Sequence, residues 1–292
     1  MTMKNVGFIG LGMMGKPMTA CLSKAGFTLR LLDADVARTE ELVADYSAQR
    51  LTKDNATQLD VLITMLPKSD IVEAVLLKDG WAAALKPGAV VIDMSSSEPL
   101  RSRALGETLA GMGLGYLDAP VSGGVKRAVE GKLAILVGGN AALMESCKPV
   151  LEAMGGSILH IGAAGSGHAA KALNNFVSAA GLMATVEALH VAERFGIKPE
   201  VMTDVLNAST GRSNTTENKV KQFMLSGSYG SGFSLALMDK DLGIAGALAT
   251  SLGYPMRFGQ HGIAAWHEVA QIAPAGADHT EMYHFLGREQ EG

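Results

Sequence analysis

The chain has 292 residues, of which 48% are hydrophobic and 18% charged, so it is too long for a small peptide-like module and too apolar for a disordered chain. Its 25 basic and 29 acidic residues leave a net charge of −4 with no basic block; this argues against nucleic acid as a partner, because affinity for phosphate backbones needs clustered positive charge. Cys21 and Cys147 are too few for a disulfide framework. Thirty-five glycines, 16 methionines and only 5% aromatics suit close helix packing and close backbone approach to ligands. No uninterrupted apolar run reaches the ~18 residues of a membrane span, and the opening Met-Thr-Met-Lys-Asn leaves no room for a leader before the first strand. The expectation is a soluble cytoplasmic protein with no membrane partner.

Up to about residue 161 the sequence alternates short apolar runs with amphipathic segments. Strands are expected at Val6–Gly10, Thr28–Asp33, Val61–Met65, Ala89–Asp93, Gly115–Asp118, Leu133–Val137 and Ser157–His160, with helices at Met13–Ala25, Ser69–Lys78 and Glu98–Ala110. Such alternation predicts a mainly parallel, doubly wound sheet covered by helices on both faces. Beyond Gly162–Gly167 the texture becomes Ala-rich with a 3.6-residue period. A long helix is expected from His168 to about Arg194, then helices at Glu200–Ala208, Thr216–Leu225, Asp239–Leu252 and Phe258–Ile272, a short one near His279–Leu286, and a polar tail over Gly287–Gly292. The fold class is therefore α/β: an N-terminal Rossmann-type domain over residues 1–163 and a C-terminal all-α substrate and oligomerisation domain over 164–292, joined by a long helix.

Gly10-Leu11-Gly12-Met13-Met14-Gly15 fits G-x-G-x-x-G. An ordinary tight turn could produce the same pattern, but here a strand runs into Gly10, a helix follows Gly15, and Asp33 closes the second strand. In this context Gly10 makes the turn, Gly12 lets the backbone approach a pyrophosphate at the helix start, and Gly15 lets helix and sheet pack closely. A carboxylate at Asp33 would accept hydrogen bonds from ribose hydroxyls and repel a 2′-phosphate, favouring NAD over NADP. Arg30 and Arg38 are the possible counterweights.

Two further constellations carry chemistry. In Gly165-Ser-Gly-His-Ala-Ala-Lys171-Ala-Leu-Asn174-Asn175, Lys171 and Asn175 share a helix face at i, i+4. A lone helical Lys is usually solvated, but these apolar flanks predict an enclosed ammonium with a depressed pKa, able to exchange the proton that hydride transfer at an alcohol carbon requires. His168 reads better as a helix-start or solvent-facing residue. In Asp118-Ala-Pro-Val-Ser122-Gly123-Gly124, a hydroxyl and two unobstructed backbone N–H groups could hold a small carboxylate, although a structural turn would look the same.

Taken together, these residues resemble the β-hydroxyacid dehydrogenases, the family of 3-hydroxyisobutyrate dehydrogenase and tartronate semialdehyde reductase, over nearly the whole chain. Gly7–Met18 is similar to the family's cofactor signature. Met65-Leu66-Pro67 resembles its cofactor-lining loop, and Asp93–Pro99 its D-x-S-T-x-x-P segment, with Ser96 in place of Thr. Asp118–Gly124 and Gly165–Asn175 resemble its substrate-carboxylate and catalytic motifs. Lys240-Asp241-Leu242, preceded by Phe233, resembles the K-D-L motif at the nicotinamide end. The resemblance implies Lys171 as acid/base, Ser122, Gly123, Gly124, Asn175 and Lys240 on the substrate, and Phe233 and Lys240 near the cofactor; positioning and charge supply the rest, so no metal is required. A long apolar helix and an all-α second half have apolar faces to cover, which predicts a homodimer or homotetramer.

The departures fall where substrate would be chosen. Gly211–Asn218 matches neither named enzyme, and Arg212, Ser213 and Asn214 could meet a polar or second anionic substrate group; a capped helix start is the plainer reading. His279, Glu281 and His284 match no metal-ligand spacing and are expected on a surface helix. The expected activity is NAD-dependent interconversion of a small 3-hydroxy acid and its semialdehyde, with tartronate semialdehyde reduction or another polar or dianionic hydroxy acid as alternatives. An imine reductase is disfavoured by Lys171 and Ser122-Gly-Gly. A non-catalytic dinucleotide-binding regulator would be expected to have lost Lys171.

Overall fold

The computed structural model describes residues 3–287. The expected tail at 288–292 lies outside them, and Gly287 ends a helix, Met282–Gly287. The chain forms two compact units that divide between Lys171 and Ala172.

The first unit is built on nine strands: β1 Asn5–Ile9, β2 Thr28–Leu32, β3 Gln49–Arg50, β4 Val61–Thr64, β5 Val90–Asp93, β6 Gly115–Asp118, β7 Val121–Ser122, β8 Leu133–Gly139 and β9 Gly155–Gly162. Their order is β3-β2-β1-β4-β5-β6-β8-β7, with β9 beside β8. Pairing is parallel from β3 to β6, antiparallel where β8 meets β6 and β7, and parallel again between β8 and β9. Strands β4 and β5 are buried at every position, as the apolar runs required of a sheet covered on both faces. Alternate residues feed two cores: Val6, Phe8, Val61, Ile63, Val90 and Ile92 point into one, and Ile9, Leu62 and Val91 into the other. Each fully buried large side chain here contributes roughly 1.5–3 kcal/mol.

The helices Gly15–Lys24 and Pro99–Gly111 lie where periodicity expects them, but Ser69–Lys78 is a short α-helix, Ser69–Glu73, continued by a π-helical turn, Ala74–Lys78. Helices Val36–Asp45 and Ala141–Glu152 also lie between strands of the sheet. Each is N-capped by a side chain, Asp35 on the Arg38 N–H and Asn140 on the Leu143 N–H, a common way to begin a helix.

The long helix Ser166–Phe195 begins in the first unit and continues into the second. An 18-residue window within it is apolar enough to cross a membrane by length and composition, a test that the core helix of a folded domain also passes. The expectation concerned uninterrupted apolar runs, and polar and charged residues such as Lys171, Asn175 and Glu187 interrupt this helix. The second unit adds Pro199–Ala208, Asn214–Asn218, Leu235–Ser251 and Arg257–Ile272 around a core of Leu182, Val186, Leu189, Met238, Leu242 and Trp266. The expected helix Thr216–Leu225 is instead a short α-helix, Asn214–Asn218, followed by a π-helical turn, Val220–Met224.

Candidate active site

The strand order reverses between β1 and β4, and the glycine loop lies at the carboxyl ends of these strands, where open α/β sheets take ligands. The Gly10 N–H donates to the Leu32 carbonyl at 2.9 Å and the Met65 N–H to Ile9 at 2.9 Å, fixing the loop to three strand ends. Gly10 has φ +101° and faces the Met65 carbonyl, while a side chain at Gly15 would strike the Gly10 carbonyl. Nothing lies within 4 Å of where a Cβ on Gly12 would stand, and Met13 is 74% exposed. An open cradle of backbone followed directly by the helix Gly15–Lys24 fits a dinucleotide pyrophosphate. Leu11 is fully buried, and its N–H donates to Asp33 Oδ2 at 2.6 Å. The other Asp33 oxygen accepts from the Asp35 N–H at 2.9 Å. Arg38 lies 3.5 Å from Asp33 and 3.4 Å from Asp35, so its charge is shared by two carboxylates.

The next strand ends place the following loops. Thr64, Asp93 and Asp118 stand in register across β4, β5 and β6, and all three are fully buried. Asp93 accepts the Thr64 hydroxyl, the Ser95 N–H and the Ser97 hydroxyl at 2.9–3.1 Å, and Ser95 Oγ accepts the Leu66 N–H at 2.9 Å. Ser95 and Ser97 are thereby turned inward, while Ser96 between them stays half-buried, as do Met65 and Leu66; Pro67 is exposed. Ser122 lies on β7 opposite Ala134 of β8 and is half-buried, with Gly123 and Gly124 exposed beyond it.

Asp118 also fixes the start of the long helix. Its two oxygens accept the Gly165 N–H at 2.7 Å and the His168 N–H at 2.9 Å, which replaces a local cap with a carboxylate from β6. His168 is not solvent-facing, as its position suggested, but 1% exposed. Its Nε2–H donates to the Ser95 carbonyl at 3.1 Å, and its Nδ1 lies 2.7 Å from Ser102 Oγ. The imidazole thus ties the Asp93 loop to the helix one turn before Lys171, whose side chain is buried. Paired aspartates at adjacent strand ends were the only sequence signal of this network.

Within the second unit, Asn175 is buried and its Nδ2 donates to Asp241 Oδ2 at 2.6 Å, while its Oδ1 accepts from Asn174. Lys240 Nζ lies 3.3 Å from the other Asp241 oxygen, so Asn175, Lys240 and Asp241 form one group. Phe233 packs edge-on to His279 at 5.7 Å. His279 is not on a surface helix: it is 3% exposed, and its Nδ1–H donates to the Phe233 carbonyl at 2.9 Å. Burial, aided by the Lys219 charge, lowers its pKa to about 4. Arg212 stands outside this group, 64% exposed and 3.4 Å from Glu217, while Ser213 caps the helix Asn214–Asn218. Among the described residues no cluster suits a metal ion.

Two family models match the chain, the NAD-binding domain of 6-phosphogluconate dehydrogenase over residues 5–162 and the NAD-binding domain of NADP-dependent 3-hydroxyisobutyrate dehydrogenase over 165–286. The chain is 40% identical to 2-(hydroxymethyl)glutarate dehydrogenase of Eubacterium barkeri, over 82% of this chain and 80% of that one. It is 38% identical to the NAD-dependent L-serine dehydrogenase of Pseudomonas aeruginosa, over 87% and 89% respectively. A solved 3-hydroxyisobutyrate dehydrogenase of Mycobacterium tuberculosis with L-serine superposes at a TM-score of 0.92 with 33% identity, covering 98% of this chain and 100% of that one.

Proposed function

The chain belongs to the β-hydroxyacid dehydrogenases, NAD(P)-dependent oxidoreductases acting on a hydroxyl group, and from that premise we propose that it oxidises a small 3-hydroxy acid to its semialdehyde with Lys171 as acid/base and NAD as cofactor. The observation that carries this reading is the setting of Lys171: a buried lysine one helical turn from Asn175, on a helix whose start is held by Asp118.

The chain's own residues would divide the work. Ser122 Oγ and the backbone N–H groups of Gly123 and Gly124 hold the substrate carboxylate. Asn175, with one amide hydrogen committed to Asp241, offers the other to the substrate. Lys171 Nζ takes the hydroxyl proton in the oxidative direction and returns it in the reductive one. The bound nicotinamide would supply the hydride acceptor. Positioning by fixed donors accounts for the remaining catalysis. NAD is favoured because Asp33 would repel a 2′-phosphate and because Arg38 is already engaged by Asp33 and Asp35. A cytoplasmic homo-oligomer completes the reading.

In the test, Lys171→Ala should lower kcat by about 10²–10⁴-fold, the usual weight of a positioned acid/base, while NADH binding followed by fluorescence stays unchanged. Turnover within a few-fold of wild type would sink the mechanism.

A further inference from the structure

Just beyond the segment Gly211–Asn218, which matches neither 3-hydroxyisobutyrate dehydrogenase nor tartronate semialdehyde reductase, the cation that the fold draws inward is Lys219 rather than the exposed Arg212. Lys219 stands at the break between the helix Asn214–Asn218 and the π-helical turn Val220–Met224, with φ −127° and ψ −41°. π-helical turns recur at functional sites. Its Nζ lies 3.5 Å from Ser178 Oγ and forms no ion pair among the described residues. Ser178 is three residues beyond Asn175 on the long helix, so Lys171, Asn175 and Ser178 follow one another at i, i+4 and i+7 along one face.

The surroundings leave this ammonium without a carboxylate of its own. Asp278 lies within its electrostatic reach, but its oxygens already accept from the Ser231 hydroxyl, the Gly232 and Phe233 N–H groups, and both the N–H and hydroxyl of Thr280. His279 is neutral and offers no charge. Burial pushes the Lys219 ammonium below the ordinary lysine value, with Asp278 opposing the shift. A cation that has given up water without gaining a carboxylate is stabilised by any anion that arrives with a ligand.

We propose that Lys219, with the Ser178 hydroxyl, is the subsite for a second anionic group at the far end of the substrate, which makes a dicarboxylic β-hydroxy acid the preferred substrate class. The proposal rests on the reading above, in which Asn175 holds the reacting end. Three residues of helix rise about 4.5 Å, which corresponds to about two or three carbons between the reacting end and the distal carboxylate. A monoanionic substrate leaves Lys219 unpaired and loses binding there, while the reacting carbon and Lys171 are unaffected.

The test uses a matched pair, 2-(hydroxymethyl)pentanedioate and its monoanionic analogue 2-(hydroxymethyl)pentanoate, with NAD and the full chain. Wild type should show a KM for the dianion lower by about tenfold or more, the weight of one charge-assisted contact. Lys219→Met should raise the dianion KM by a similar factor, with kcat within about twofold, and leave the monoanion KM nearly unchanged; Lys219→Arg should retain most of the preference. Equal losses on both acids, or a wild type indifferent to the distal charge, would overturn the subsite while leaving the dehydrogenase reading intact. If wild type oxidises neither acid, the substrate reading fails and the subsite with it.

Discussion

The Asp118 carboxylate accepts the His168 backbone N–H at 2.9 Å across 50 residues of sequence, and with its other oxygen takes the Gly165 N–H at 2.7 Å. Two of the orphan donors of the long helix are thus satisfied from the sheet rather than from the helix's own flank. Asp118→Asn turns one of these acceptors into a donor facing an N–H. The expected cost is about 1–3 kcal/mol, the penalty of a buried group left unmade, visible as a lower denaturation midpoint. Because the same turn leads to Lys171, kcat should fall while the KM for NAD changes little. An unchanged kcat in a folded variant would show that this cap does not position Lys171.

Asp33 accepts the Leu11 N–H and, in the proposed NAD complex, would also face the adenosine ribose. Asp33→Ser keeps an oxygen near that N–H but removes the charge. The ratio of kcat/KM for NADP to that for NAD should rise by about tenfold or more, equivalent to about 1.4 kcal/mol, as Arg38 loses a competing carboxylate. An unchanged ratio would mean that Asp33 does not select the cofactor.

His279 gives the stability a pH dependence. Its folded pKa lies at about 4 against an unfolded value near 6.5, so between these limits the unfolded chain binds more protons. Stability is complete above about pH 6.5 and falls as pH drops toward about 4, by about 3 kcal/mol in all. Chemical denaturation of wild type and His279→Phe across this range should show the variant with the shallower slope. Parallel slopes would remove His279 as the source.

Much of the first unit was legible because its signals are local. Strand runs such as Val61–Met65, the glycine spacing and the carboxylate ending β2 all act within one βαβ unit. His168 does stand at a helix start, but its burial and that of His279 went unforeseen because their partners, Ser95, Ser102 and Phe233, come from elsewhere in the fold; helical position alone gives no sign of burial. Arg212 drew notice as the nearer cation in an unfamiliar segment, but its exposed guanidinium pairs with Glu217. Lys219 carried no sequence signal, since its enclosure depends on a change of helical pitch that hydrophobic periodicity does not encode.

The π-helical turn Val220–Met224 also bears on how such an enzyme diverges. A π turn accommodates an added residue within a helix, and each α-helical residue advances the side chain by about 100°. Deleting one residue there would restore ordinary pitch and swing neighbouring side chains around the axis, so a different residue would meet Ser178. Relatives could therefore exchange one substrate for another through a single-codon insertion or deletion, with every motif residue left in place.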